Sequence, residues 1–326
     1  MYQFKKILCV VSYSGDNQPL LQQAVSLAEA HQAELTLVSV IEDLPQTLEL
    51  QEDFIAAEKI IETMLGERRR FLKNLVDSLR TPLDVSCQVL TGTAFISIIH
   101  EVLRHQYDLL IKQADSGGLV QRLFGSLDMH LLRKCPVPVW LVKHGAPRVN
   151  KRILAALDVN NYYPPKELQT RQQLNQMTLD MADSLAEFLS AEIYAVSVWD
   201  AIAEDFLRAG VVGQLEDNIN LYMDSVAQRY RNNLHQLLDE MQENRAPQHE
   251  HTPTPQAILL KGQPREKIPE FSREIDADLV VMGTVARTGI SGLIMGNTAE
   301  SILHQLDCSV LAIKPPGFVS PVNLDE

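Results

Sequence analysis

The sequence predicts an α/β fold built from two tandem, doubly wound, five-stranded parallel-sheet domains. Three observations predict it: a set of landmarks that occurs twice in one order, strand segments that are apolar throughout, and amphipathic helices between them. The opening strand KILCVV at Lys6–Val11 returns as RILAAL at Arg152–Leu157, and AELTLVSV at Ala33–Val40 returns as AEIYAVSV at Ala191–Val198. YDLLI at Tyr107–Ile111 returns as ADLVV at Ala277–Val281. FGS at Phe124–Ser126 returns as MGN at Met295–Asn297, each with a lysine (Lys143, Lys314) eighteen residues past its glycine. Landmarks repeated in one order mark a duplicated unit. The joint falls in the turn-rich HGAP at His144–Pro147, so the expected domains are 1–146 and 147–316, followed by an acidic tail at 317–326.

Each copy reads strand, helix, strand, long helix, strand, helix, strand, glycine loop, helix, strand. Runs such as Leu109–Ile111 and Leu279–Met282 carry no alternating polar residues. That is the pattern of strands buried on both faces, as in a parallel sheet covered by helices. Alternation of strand and helix then gives the doubly wound, Rossmann-like arrangement. Leu20, Leu21, Ala24, Val25, Leu27 and Ala28 supply the apolar stripe of the first helix. The second copy is longer between its second and third strands, where residues 201–250 add an acidic segment, a long helix around 215–243 and a polar linker.

Composition narrows the function. The chain has 326 residues, 45% hydrophobic and 22% charged, which excludes disordered and fibrous classes. No apolar run reaches the roughly 18 residues of a membrane helix, and the N-terminus MYQFKK lacks a signal peptide's apolar core. Cys9, Cys87, Cys135 and Cys308 form no CxxC pair, so neither a disulfide framework nor a structural metal site is expected, and the expected compartment is the cytoplasm. The net charge of -13 argues against nucleic acid and anionic lipid as partners. Arg68, Arg69 and Arg70 are the densest basic run and read as a solvated helix face. Residues 1–146 carry 14 basic and 17 acidic side chains and residues 147–326 carry 15 and 25, so the copies differ in surface charge.

Open α/β sheets bind ligands beyond the carboxyl ends of their strands, where strand order reverses. In the second copy two segments meet there: Asp158, at the end of its first strand, and the loop from Gly283 to Thr298 after its fourth. Glycines let backbone amides approach an anion. The next helix opens at Gly296, Asn297 and Thr298, which adds free N–H groups and a positive dipole end, with Asn297 expected as its N-cap. The bland alternatives are a strand-end aspartate capping a turn and an ordinary surface loop. No Walker motif, metal-ligand cluster or nucleophile constellation accompanies them; His249 and His251 read as linker histidines.

These segments resemble the universal stress protein family in tandem form, and the likeness covers the chain except around 200–255 and 315–326. Its most specific pieces are GTVARTGIS at Gly283–Ser291, GNTAE at Gly296–Glu300 and HLLRKCP at His130–Pro136. The family signature is Gly-x2-Gly-x9-Gly-(Ser/Thr), joined to an aspartate at the first strand end. The resemblance implies an adenine-nucleotide alpha-hydrolase-like fold, with repeats forming a pseudo-dimer through their last strands and a further homodimer as an open option. It places Asp158 at the adenine-ribose end of ATP, Val198 against the base, and Gly283 and Gly296 at the phosphates. Two positions depart: Ala286 replaces the second glycine, with Arg287 beside it as a compensating cation, and Asn297 replaces the Ser/Thr, with Thr298 one place late. The first copy departs further. Ser12 stands for the aspartate, Lys112 (or Gln113) and Asp115 stand for glycines, and Gly125-Ser126 alone survives, so that site is expected to be dead for nucleotides. The expected function is a non-catalytic stress-response protein that holds ATP or a related diphosphate-bearing nucleotide, or a nucleotide conjugate, in its second domain and supports survival under stress such as DNA damage. A slow ATPase and an empty interaction scaffold are the alternatives.

Overall fold

A computed structural model describes residues 2–42, 54–115, 124–146, 151–201, 216–245, 253–285 and 295–324. It divides into two compact units, one of residues 3–149 with 308–312 and 318–326, the other of residues 1–2, 150–307 and 313–317.

The first unit runs β1 (Lys6–Val10), α1 (Gln18–His31), β2 (Glu34–Ile41), α2 (Phe54–Ser78), β3 (Val85–Thr91), α3 (Ala94–His105), β4 (Leu109–Gln113), α4 (Ser126–Lys134) and β5 (Val139–Val142). Its parallel strands are ordered β3-β2-β1-β4-β5. The strand at residues 309–313 (β10) lies antiparallel to β5, with Val310 opposite Leu141, Leu311 opposite Trp140 and Ala312 opposite Val139. All five residues of β4 are buried, as its apolar run requires.

The second unit runs β6 (Arg152–Leu157), α5 (Pro165–Leu189), β7 (Glu192–Trp199), α6 (Glu216–Glu243), β8 (Gln256–Lys261), α7 (Pro264–Glu274), β9 (Leu279–Gly283) and α8 (Asn297–Leu303). Its strands are ordered β8-β7-β6-β9, all parallel. The reversal therefore lies between β6 and β9 and opens a crevice at their carboxyl ends.

Duplication extends to local devices. The helices after the first strands both end on a non-glycine residue in the left-handed region, Gln32 at φ 53° and Ser190 at φ 50°. Each cap amide donates back to its helix, reaching Ala28 O and Ala186 O respectively. An asparagine on each of those helices, or just before it, clamps the preceding strand end. Asn17 Oδ1 accepts the Ser12 N–H at 3.0 Å and its amide donates to Ser12 O at 2.8 Å. Asn175 treats Asp158 identically, at 3.0 and 2.8 Å. Both hydrogen bonds satisfy backbone groups that the sheet leaves unpaired, each contributing about 1 kcal/mol.

Candidate functional site

The crevice of the second unit holds a cavity of about 480 Å³. Asp158, Val198, Gly283, Gly296, Asn297 and Thr298 all line it. Ala286 and Arg287 lie outside the described residues, as do His249 and His251. Sequence reasoning missed several other lining residues: Tyr163, Arg171, Asn175, Asp200, Tyr230 and Gln263.

At one end Asp158 is already engaged. Its Oδ2 accepts the Tyr163 hydroxyl at 3.0 Å and pairs with Arg171, while Oδ1 accepts the Asn160 N–H at 3.2 Å. Arg171 also grips Glu167 at 2.8 Å and lies 3.7 Å from the centre of the Tyr163 ring. Burial, and then the Asp158 charge, push the Tyr163 hydroxyl up to about 12, so it stays a donor. Arg171 stands thirteen residues past Asp158, on α5, a distance no local pattern connects.

At the other end the backbone is tied to itself. The Thr284 amide donates to Ile313 O at 3.0 Å, and Thr284 O accepts the Gly296 N–H at 3.0 Å. Behind it, the buried Lys314 donates to Thr284 Oγ1 at 2.6 Å. One expectation changes here. Asn297 is the first residue of α8 rather than its N-cap; Gly296 caps, with φ -77° and ψ 142° and no side-chain cap bond. A Cβ at Gly283 would lie 2.2 Å from Leu174 Cδ2, so packing against α5 also bears on this position.

The family model described as the universal stress protein family matches residues 3–143 and again 151–314. The chain belongs to the universal stress protein family. It is 28% identical to the universal stress protein E homolog of Haemophilus influenzae over 321 residues, covering 96% of this chain and 98% of that one. It is 26% identical to universal stress protein E of Escherichia coli K12, covering 100% and 99%. Among solved structures, a functionally unknown protein from Pseudomonas aeruginosa PAO1 aligns with a TM-score of 0.66 at 24% identity, over 96% of this chain and 93% of that one. A universal stress protein from Archaeoglobus fulgidus aligns at 0.61 with 14% identity, over 96% and 99%. These likenesses carry the fold, and the family is one of stress response.

Within this universal stress protein the first unit treats the same crevice differently. Asp128, fully buried, accepts the amides of Asp115 at 2.7 Å and Gly125 at 3.2 Å on one oxygen and the Lys112 ammonium at 2.9 Å on the other. Lys112 also pairs with Asp115. Burial raises the Asp128 carboxyl above its ordinary value against the opposing pull of Lys112. A Cβ on Gly125 would come 2.7 Å from Asp115 Cβ, so this surviving glycine also serves internal packing. At the other end Arg68 donates to Ser39 Oγ at 2.8 Å and to Val40 O at 3.4 Å, with its guanidinium 4.1 Å from the Tyr13 ring centre. Arg68 is therefore not part of a solvated face; Arg69 and Arg70 are exposed.

Among the described residues, no group of three or more His, Cys, Asp or Glu is placed to hold a metal ion, and no helix is long and apolar enough to cross a membrane.

Proposed function

We propose that this protein is a non-catalytic, cytoplasmic stress-response protein whose second unit holds ATP or a related diphosphate-bearing nucleotide. The observation that carries this reading is the contrast in filling. The second unit keeps about 480 Å³ between the Asp158 strand end and the start of α8, and at the corresponding ends of the first unit stand Asp128 and Arg68. In this reading Asp158 faces the ribose, Val198 the base, and the backbone at Gly283, Gly296, Asn297 and Thr298 the phosphates, with Ala286 and Arg287 completing the loop. Entry requires Arg171 or Tyr163 to yield their hold on Asp158. The first unit serves as a structural or partner-binding copy. Pairing of the two repeats within one chain, as a pseudo-dimer, belongs to the same reading. Survival under stress such as DNA damage is the role this binding would serve.

Native mass spectrometry of freshly purified protein tests the reading. A retained mass matching an adenine nucleotide is expected, and it should survive incubation with Mg²⁺. Protein that is free of small molecules and takes up no added ATP overturns the reading; conversion of retained ATP to ADP would make it an ATPase.

A further inference from the structure

Asp158 is not the carboxylate with capacity to spare in this cavity. Its oxygens are met by Asn160, Tyr163 and Arg171, and Arg171 cancels its charge. Asp200 differs. It directly follows β7, two residues past Val198, and lines the same cavity. Among the described residues one of its oxygens accepts a neutral donor, the Gln263 side-chain amide, and it forms no ion pair. Gln263 is itself held as the N-cap of α7.

Facing the same end is Tyr230, which α6 delivers. Its residue is only 7% exposed, it lines the cavity, and its hydroxyl has no hydrogen-bond partner among the described residues. Two contacts fix α6 against the strand end: Asn233 donates to Val159 O at 2.8 Å, and Arg229 donates to the Tyr162 hydroxyl at 2.6 Å. That hydroxyl is accessible from the cavity rather than sealed in the core, so it can donate to a ligand there. Burial, Asp158 and Asp200 all raise the Tyr230 hydroxyl, so it remains protonated and able to donate.

Resting on the nucleotide reading above, we propose that Asp200 and Tyr230 read the base, accepting an amine and donating to the ring nitrogen beside it. The pair offers an anionic acceptor and a neutral donor. An adenine edge presents a donor, its exocyclic amine, next to an acceptor, its ring nitrogen. A hypoxanthine edge presents the reverse, a carbonyl next to a ring N–H; Tyr230 can turn to accept that N–H, but the carbonyl is set against the Asp200 carboxylate.

The test is calorimetric titration of the full chain, stripped of retained ligand, with ATP and with ITP. Wild type is expected to bind ATP at least about tenfold tighter than ITP, the effect of one charge-assisted hydrogen bond. Asp200→Asn, whose amide can serve a carbonyl, should bring the two affinities within about threefold, and Tyr230→Phe should weaken ATP while keeping ATP preferred. Equal binding by the wild type overturns the base-reading pair and leaves the nucleotide reading standing. Binding of neither overturns both. An Asp200→Asn protein that folds with the wild-type ratio removes Asp200 from the account; if that variant does not fold, the wild-type ratio and Tyr230→Phe decide.

Discussion

The two crevices of this chain start from one plan and end in opposite states. In the first unit the helix after the loop carries Asp128 three residues past Gly125; in the second, Ala299 stands three residues past Gly296. That exchange decides the fate of the backbone amides. With a carboxylate present, the Gly125 N–H turns to Asp128; without one, the Gly296 N–H turns to the Thr284 carbonyl and a cavity remains. The preceding strand ends differ in the same sense, Lys112 and Gln113 in β4 where β9 has Met282 and Gly283. One unit places a carboxylate of its own at the start of the helix after the loop, and the other does not.

The largest effect should come from emptying the filled crevice. Asp128→Ala leaves Lys112 buried with one partner fewer and two amides unpaired, and should destabilise the first unit by about 3–5 kcal/mol. Chemical denaturation of the variant, followed at Trp140 in β5, measures it; a loss under about 1 kcal/mol would mean the carboxylate is incidental.

Transplanting the device tests the converse. Ala299→Asp places a carboxylate at the amide end of the second cavity, without a lysine beside it on β9. Loss of nucleotide retention in native mass spectra is expected, with destabilisation of about 1–3 kcal/mol for the poorly paired buried group. Undiminished retention would show that the ligand's anion sits elsewhere.

Gly283 separates packing from ligand contact. Gly283→Ala should cost about 1–3 kcal/mol through the clash with Leu174, and Leu174→Ala in the same chain should remove most of that increment. Non-additivity in a double-mutant cycle of melting curves is the readout. Strict additivity would return the glycine to a purely ligand-directed role.

The smallest effect is electrostatic. Tyr163, raised to about 12, holds its proton in the fold while an unfolded tyrosine loses it near pH 10. The folded state then binds more protons than the unfolded one, so stability falls as pH rises from about 10 to about 12. Ultraviolet titration should show a late-ionising component that Tyr163→Phe diminishes; a late component unchanged in that variant would place it entirely on other rings.

Much of this was legible in the sequence, and the reasons are physical. Fully apolar strands such as Leu109–Ile111 admit little besides a covered parallel sheet, and landmarks repeated in order locate the second crevice without any coordinates. Asp158, Val198, Gly283, Gly296, Asn297 and Thr298 do converge on one cavity. The partners of Asp158 were hidden, because Arg171 and Tyr163 reach it only once α5 docks. Gly283 was visible as a glycine while its packing neighbour, Leu174, was not. Arg68 looked like its exposed neighbours until α2 laid it over Tyr13 and Ser39.

By itself, then, the sequence determined the periodicities, the duplication and the place where strand order reverses, since these follow from how side chains repeat along a backbone. Only the tertiary structure decided which side chains enter each crevice. Occupancy depends on which side chains from distant elements arrive at the same few cubic ångströms, and that is settled by packing rather than by spacing along the chain.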